Sequence, residues 1–219
     1  MIKLGIECEN LEDIKSRWGV GHLTICLIEA YLKNTYWQDK IELNLYFKSF
    51  IPDDEALKNP LLKKKLAKFR PLTSFNIFYH FFLPIKAQLD GIDIMFFPAY
   101  MLPPLYFKKS VVMLTGDVYH EYKEGSLPFR YRLAYRLFTN WAALKASKIL
   151  AISQASKKEV AQCYNINPGR IIVAHLGAPR RRWQEPLITG RYILYVGQMF
   201  PRRSAKETLL AFKKIAGQF

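Results

Sequence analysis

Two patterns of apolar and polar positions alternate along the chain: short runs of consecutive apolar residues, and longer stretches with apolar residues three or four apart. Residues 2–6 (IKLGI) read as a buried first strand, and Ile41–Phe47 alternates as a strand does. Residues 92–97, 111–115, 149–152, 171–174 and 192–196 are compact apolar runs of the kind buried in parallel sheets. Between these runs, residues 20–33 place Leu23, Leu27, Ala30 and Tyr31 at helical spacing. Residues 127–145 carry a helical stripe of Leu133, Leu137, Trp141 and Leu144, and Gln154–Cys163 and residues 205–216 are helical as well. Residues 53–70 read as a charged helical stretch ending in the amphipathic LLKKKLAKFR, and residues 74–89 as an aromatic-rich helix up to Pro84. Strands separated by helical patterns predict an α/β fold, a doubly wound parallel sheet.

Residues 177–190 hold Pro179, Pro186 and three successive arginines from Arg180, with no apolar periodicity. They mark the expected boundary: a first domain over residues 1–178, a linker over 179–190, and the start of a second domain over 191–219. That last part is one strand and one helix. A single βα unit cannot bury its own apolar face, so it either docks on the first domain or, as expected here, opens a second domain whose remainder lies elsewhere.

Composition narrows the function classes. Half the residues are hydrophobic and 15% aromatic, which excludes intrinsic disorder. Cys8, Cys26 and Cys163 are far apart, no CxxC occurs and the four histidines are scattered. That pattern implies neither a disulfide framework nor a structural zinc site, and it fits a reducing compartment. Glu7, Glu9 and Glu12 are wrong for a signal peptide, and no run approaches the roughly 20 apolar residues of a membrane span. The expectation is a cytoplasmic protein, soluble or peripheral on the inner face of a membrane.

The net charge of +15 changes the picture further. Residues 56–89 contain seven Lys or Arg and no acid, and residues 125–158 another seven with none. Such a surplus predicts a polyanionic partner: phosphate-rich headgroups, nucleotides or nucleic acid. An anionic membrane would be met through the basic stretches 63–70 and 130–136, although a solvated helix face accounts equally well for either run alone. Nucleic acid is the weaker reading, because the aromatics sit inside apolar runs and no RRM, KH or zinc-finger spacing occurs.

Four places could carry chemistry. Gly19, Val20 and Gly21 precede the first helix, where glycines let backbone N–H groups approach a phosphate or sugar; a tight turn explains the pair as well. The third glycine of a dinucleotide fingerprint is missing. Residues 115–121 (TGDVYHE) follow a buried strand, so Asp117, His120 and Glu121 lie where acid–base chemistry is expected; a loop-capping Asp117 and a packing His120 are the plain alternative. Ser153, without a glycine-flanked elbow, reads as a helix N-cap. Finally, a strand ends at Gly197, Arg202 and Arg203 follow, and Ser204 begins a helix, an arrangement that joins mobile cations to helix-terminal dipoles.

These motifs resemble those of the GT-B glycosyltransferases, in particular the retaining, family-4-like group that includes sucrose-, glycogen- and phosphatidylinositol-directed enzymes. The resemblance runs through the Gly19 to Gly21 loop, DIMFFP (93–98), residues 111–117, ASKILAIS (146–153) and PGRIIVAHLG (168–177). Its most specific part is ILYVGQMFPRRSAKETLLAF (193–212), similar to the opening of that group's donor-binding domain. The resemblance implies an N-terminal acceptor-side Rossmann-like domain. In it, Arg203 takes the place of the lysine that grips the donor diphosphate, Arg202 matches the arginine before it, and Ser204 replaces the usual asparagine. Gln198 stands where some members have a second phosphate-binding arginine. Gly116 stands where many have histidine, with His120 near enough to take its role.

The implied activity is that of a hexosyltransferase, moving a sugar from a nucleotide-sugar to a saccharide or lipid-linked acceptor in cell-envelope polysaccharide synthesis, with retention. No cofactor and no metal are implied. Asp117 and His120 would be catalytic; Gly197, Arg202 and Arg203 would bind the donor phosphates; Gly19, Val20 and Gly21 would form the acceptor or phosphate loop. The group's pair of glutamates eight positions apart is not supplied by residues up to Phe219, so this chain alone is expected to be inactive. The rival reading is a non-catalytic module of the same fold that binds a membrane or polyanion.

Overall fold

The short apolar runs become strands of one all-parallel sheet: β1 (Ile2–Glu7), β2 (Ile41–Phe47), β3 (Lys63–Leu66), β4 (Ile94–Phe97), β5 (Lys109–Met113), β6 (Lys148–Ala151) and β7 (Ile171–Val173). Their order is β3-β2-β1-β4-β5-β6-β7. The computed structural model describes residues 1–13, 19–67, 75–124, 128–177, 192–196 and 204–218. They divide between two compact units, Met1–Gly177 and Ala178–Phe219, and the sheet belongs to the first. β1 pairs with β2 on one side, Leu4 opposite Leu43, and with β4 on the other, Leu4 opposite Ile94. The direction of winding reverses there, and in open parallel sheets the crevice beyond the carboxyl ends at such a point is where ligands bind.

The sheet separates two cores, because successive side chains of a strand point to opposite faces. Tyr46, Met95, Phe97, Val112, Leu114, Ile149 and Ala151 face one way; Ile6, Leu43, Leu45, Phe47, Phe96 and Met113 face the other. Helix α1 (Gly19–Leu32) covers the second face through Ile25 and Ile28, and α2 (Thr35–Gln38) leads from it into β2. The first face is covered by three elements. One is α4 (Phe75–Ile77), which passes through a π-helical turn (Phe78–Phe82) into α5 (Leu83–Leu89). The others are α7 (Phe129–Lys145) and α8 (Gln154–Cys163). Phe78, Tyr79, Leu83, Ala142, Ala143 and Val160 are their buried contributions, the larger side chains worth about 1.5–3 kcal/mol each.

Five local expectations are corrected. The lysines of LLKKKLAKFR do not form an amphipathic helix. Helix α3 (Glu55–Lys58) stops at Asn59, whose extended backbone (ψ 131°) is what a residue before proline prefers. Lys63–Leu66 then pairs with β2, Asn44 opposite Lys63 and Phe47 opposite Leu66. Lysines on an edge strand discourage pairing with another chain, which is a structural use for charge that the sequence presents as a membrane helix.

The helix over residues 75–89 does not end at Pro84. Pro84 lies in the first turn of α5, where its missing N–H is no loss, and the widened π-helical turn before it makes room for the ring. Residues 116–124, expected as a loop, are helix α6 (Gly116–Glu124). In α7 the predicted stripe is turned about: Thr139, Ala142 and Ala143 pack inward, while Leu133, Leu137 and Leu144 are exposed. Small residues bring this helix close to the sheet; of the predicted stripe only Trp141 still packs against the core, half-buried.

In the second unit, α9 (Ala205–Ile215) forms as expected, following Ser204 in the left-handed region (φ 49°). Ser204 caps through its backbone only, its carbonyl accepting from Thr208 N–H at 2.9 Å. Residues 192–196 have irregular backbone instead of the predicted strand; the described residues of this unit include no second strand to pair with them.

Candidate active site at the carboxyl edge of the sheet

β1 delivers Glu7 to the point where the strand order reverses, and Glu7 is only 1% exposed. Its Oε1 accepts the Glu9 N–H at 2.6 Å, and Asn10 Nδ2 lies 3.5 Å from its Oε2. Burial, reinforced by the charges of Glu9 and Glu12 and opposed by those hydrogen bonds, pushes its carboxyl up to about 8. Glu7 therefore carries a proton at neutral pH, a buried acid at the mouth of the crevice. The adjacent Cys8 thiol is also pushed up, by burial first and then by Glu7.

The turn after β1 is anchored to the end of β2. Glu12 accepts from the backbone of Ser49 at 2.9 Å and from that of Lys48, and Lys48 Nζ reaches Glu9 Oε1 at 2.5 Å. On the other side of the crevice, Tyr100 holds φ at 63°, a left-handed conformation rarely tolerated outside glycine. Tyr79 donates its hydroxyl to the Met101 carbonyl beside it at 2.7 Å.

Gly19, Val20 and Gly21 form the first turn of α1, on the same edge. A Cβ on Gly19 would meet nothing within 4 Å among the described residues, while Gly21 is buried. None of the turn's own residues is acidic, and the N–H groups of a helix start favour an anion.

β5 delivers the third group. The Thr115 hydroxyl donates to Asp117 Oδ1, and Asp117 stands in the first turn of α6, where a carboxylate is favoured. A Cβ on Gly116 would lie 2.0 Å from Glu159 Cδ. Only glycine lets the Glu159 carboxylate of α8 settle against that backbone, and from there its Oε1 lies 3.3 Å from His120 Nε2. A carboxylate against one imidazole nitrogen fixes the ring's orientation. Asp117 and His120, three residues apart on α6, share one side of that helix.

The sequence reading placed Asp117, His120 and the Gly19 to Gly21 turn on this edge, and the structure puts them at the ends of β5 and β1. It missed Glu7 and Glu159. A glutamate closing an apolar strand was a signal for the first; for the second the only hint was glycine directly before Asp117. Gly197, Arg202 and Arg203, and Gln198 with them, lie outside the described residues. Ser153 is a cap, its hydroxyl accepting from Ser156 N–H at 3.0 Å. Among the described residues no three His, Cys, Asp or Glu side chains are grouped to hold a metal ion, and no helix is long and apolar enough to cross a membrane.

No family model matches the sequence, and no curated protein matches it. Solved structures similar in fold include two of low sequence identity. One is HepE from Anabaena in complex with UDP and glucose, at 14% identity and a TM-score of 0.46, covering 81% of this chain and 45% of that one. The other is the apo form of the lipopolysaccharide outer core galactosyltransferase WaaB, at 13% identity and a TM-score of 0.44, covering 80% and 45%. The chain thus spans less than half the length of either.

Proposed function

We propose that the chain is the acceptor-side part of a GT-B glycosyltransferase, family-4-like and retaining, that moves a hexose from a nucleotide-sugar to a saccharide or lipid-linked acceptor. One observation carries the reading. A single edge of an all-parallel sheet collects the α1 N-terminus at Gly19 to Gly21, the buried acid Glu7, and Asp117 with the His120–Glu159 pair. The resemblance of residues 193–212 to a donor-domain opening supports it from the sequence side.

In this reading the bond to break joins the sugar to a diphosphate, and charge develops on the leaving oxygen. Arg202 and Arg203, next to the start of α9, neutralise that charge as it forms. Asp117 and His120 hold the sugar and the acceptor hydroxyl, with Glu159 keeping the imidazole in place. The turn at Gly19 to Gly21 takes an acceptor phosphate or sugar oxygen on its N–H groups. No metal, cofactor or protein nucleophile takes part. Cell-envelope saccharides made at the inner face of a membrane are the acceptor class that suits a basic protein.

The test is sugar transfer from radiolabelled UDP- and GDP-hexoses by the product of the complete reading frame. Replacing His120 by Ala, or Arg203 by Ala, is expected to lower turnover about 100-fold. Transfer at the wild-type rate in both variants would refute the assignment.

A further inference from the structure

The outer face of α7 is apolar and, among the described residues, exposed. At about 100° per residue, Phe129, Leu133, Leu137 and Leu144 fall within an arc of roughly 80° on the side away from the sheet, and they are 42–77% exposed. The buried side of the same helix is made of Thr139, Ala142 and Ala143. Arg136 and Arg130, both exposed, flank the arc, one on each side. Arg132 is the exception in this basic stretch. It turns inward, donating from Nε to the Tyr122 carbonyl at 2.8 Å and from Nη2 to that of Lys123 at 2.7 Å, and so ties α6 to α7.

The neighbouring helix extends the surface. His80 of the π-helical turn stacks on Phe138 of α7 with ring centroids 4.6 Å apart. Beyond that contact, Ile77, Phe81, Ile85 and Leu89 recur every fourth residue along residues 77–89, all exposed. Two adjacent helices therefore present long apolar side chains outward.

We propose that this face docks on an anionic lipid bilayer, with the apolar side chains of α7 entering the boundary between headgroups and acyl chains and Arg130 and Arg136 meeting lipid phosphates. Charge decides between the possible occupants. Residues 125–158 contain seven Lys or Arg and no Asp or Glu, so the surface lacks the mixed charges of an interface between proteins. A two-fold dimer through this face would bring Arg130 and Arg136 against a second set of arginines. A bilayer offers an apolar interior beneath a sheet of phosphate charge, which matches a stripe of leucines between arginines whose long stems reach the headgroups. The inference stands on α7 alone and does not need the sugar-transfer reading.

The experiment is flotation of the chain with vesicles of phosphatidylcholine alone and of phosphatidylcholine containing phosphatidylglycerol. Two double variants accompany it, Arg130→Ala/Arg136→Ala and Leu133→Ser/Leu137→Ser, with circular dichroism to verify folding; all four residues are exposed, so the core is untouched. The wild-type chain is expected to float with the anionic vesicles only. The arginine pair should weaken partitioning about 30-fold and the leucine pair at least about tenfold. A wild-type chain that stays down with the anionic vesicles, or variants that float as it does, would overturn the proposal. So would a wild-type dimer that the leucine substitutions convert to monomer in sedimentation, since the occupant would then be a second copy.

Discussion

Replacing Glu7 by glutamine removes a titration that the fold itself creates. In the unfolded chain this carboxyl loses its proton near 4.5, and in the folded chain near 8. Between those values the folded state holds one proton more than the unfolded state, so stability is full below pH 4.5 and falls as the pH rises towards 8. At about 1.4 kcal/mol per pH unit, the whole window corresponds to about 5 kcal/mol. Water entering as the turn after β1 opens would relieve part of it, leaving roughly 2–5 kcal/mol. Glutamine keeps the shape and the acceptor for the Glu9 N–H but cannot ionise. Urea unfolding followed by tryptophan fluorescence at pH 5, 7 and 9 reads the difference directly. The variant should match the wild-type chain within about 1 kcal/mol at pH 5 and exceed it by at least about 2 kcal/mol at pH 9. Stability curves that run parallel across that range would refute the burial argument.

Three further outcomes follow from other contacts. Arg132→Ala should cost about 1–3 kcal/mol, because two charge-assisted bonds to the end of α6 disappear; Arg132→Lys should recover less than half in the same urea titration, lacking the planar fork that reaches both carbonyls. Asp90 accepts from the Tyr46 hydroxyl at 3.0 Å and from Lys86. Burial raises its carboxyl, but these bonds and the Lys65 charge outweigh that and hold it below 3.8. Asp90→Asn should therefore lose about 1–2 kcal/mol at pH 7, a deficit that fades as acid protonates the wild-type carboxylate; a deficit constant down to pH 2 would count against the pairing. Gly116→Ala should swing the Glu159 carboxylate aside with less than about 1 kcal/mol change in stability, while the His120 ring signals move in histidine-selective NMR. Unmoved signals would mean that Glu159 does not hold the ring.

The parallel sheet was readable because most strands are short apolar or alternating runs and most crossovers have helical spacing; Gln154–Cys163 and Ile41–Phe47 coincide with their elements to the residue. What local pattern cannot carry is which partner an element meets. Residues 61–70 have helical spacing by themselves, through Leu62, Leu66 and Phe69, and only the free edge of β2 makes Lys63–Leu66 a strand. The stripe on α7 has the period of a core face, yet the alanines behind it fit closer to the sheet. Asp117 and His120 were visible from their place after an apolar run. Glu159 was not, because its approach to Gly116 exists only once α8 packs beside α6.

Calorimetric titration of the complete reading frame's product with UDP- and GDP-hexoses tests the central claim most directly. The account predicts micromolar binding of one nucleotide-sugar, weakened at least about tenfold by Arg202→Ala/Arg203→Ala. No heat with any nucleotide-sugar, or equal affinity in the arginine variant, would contradict it.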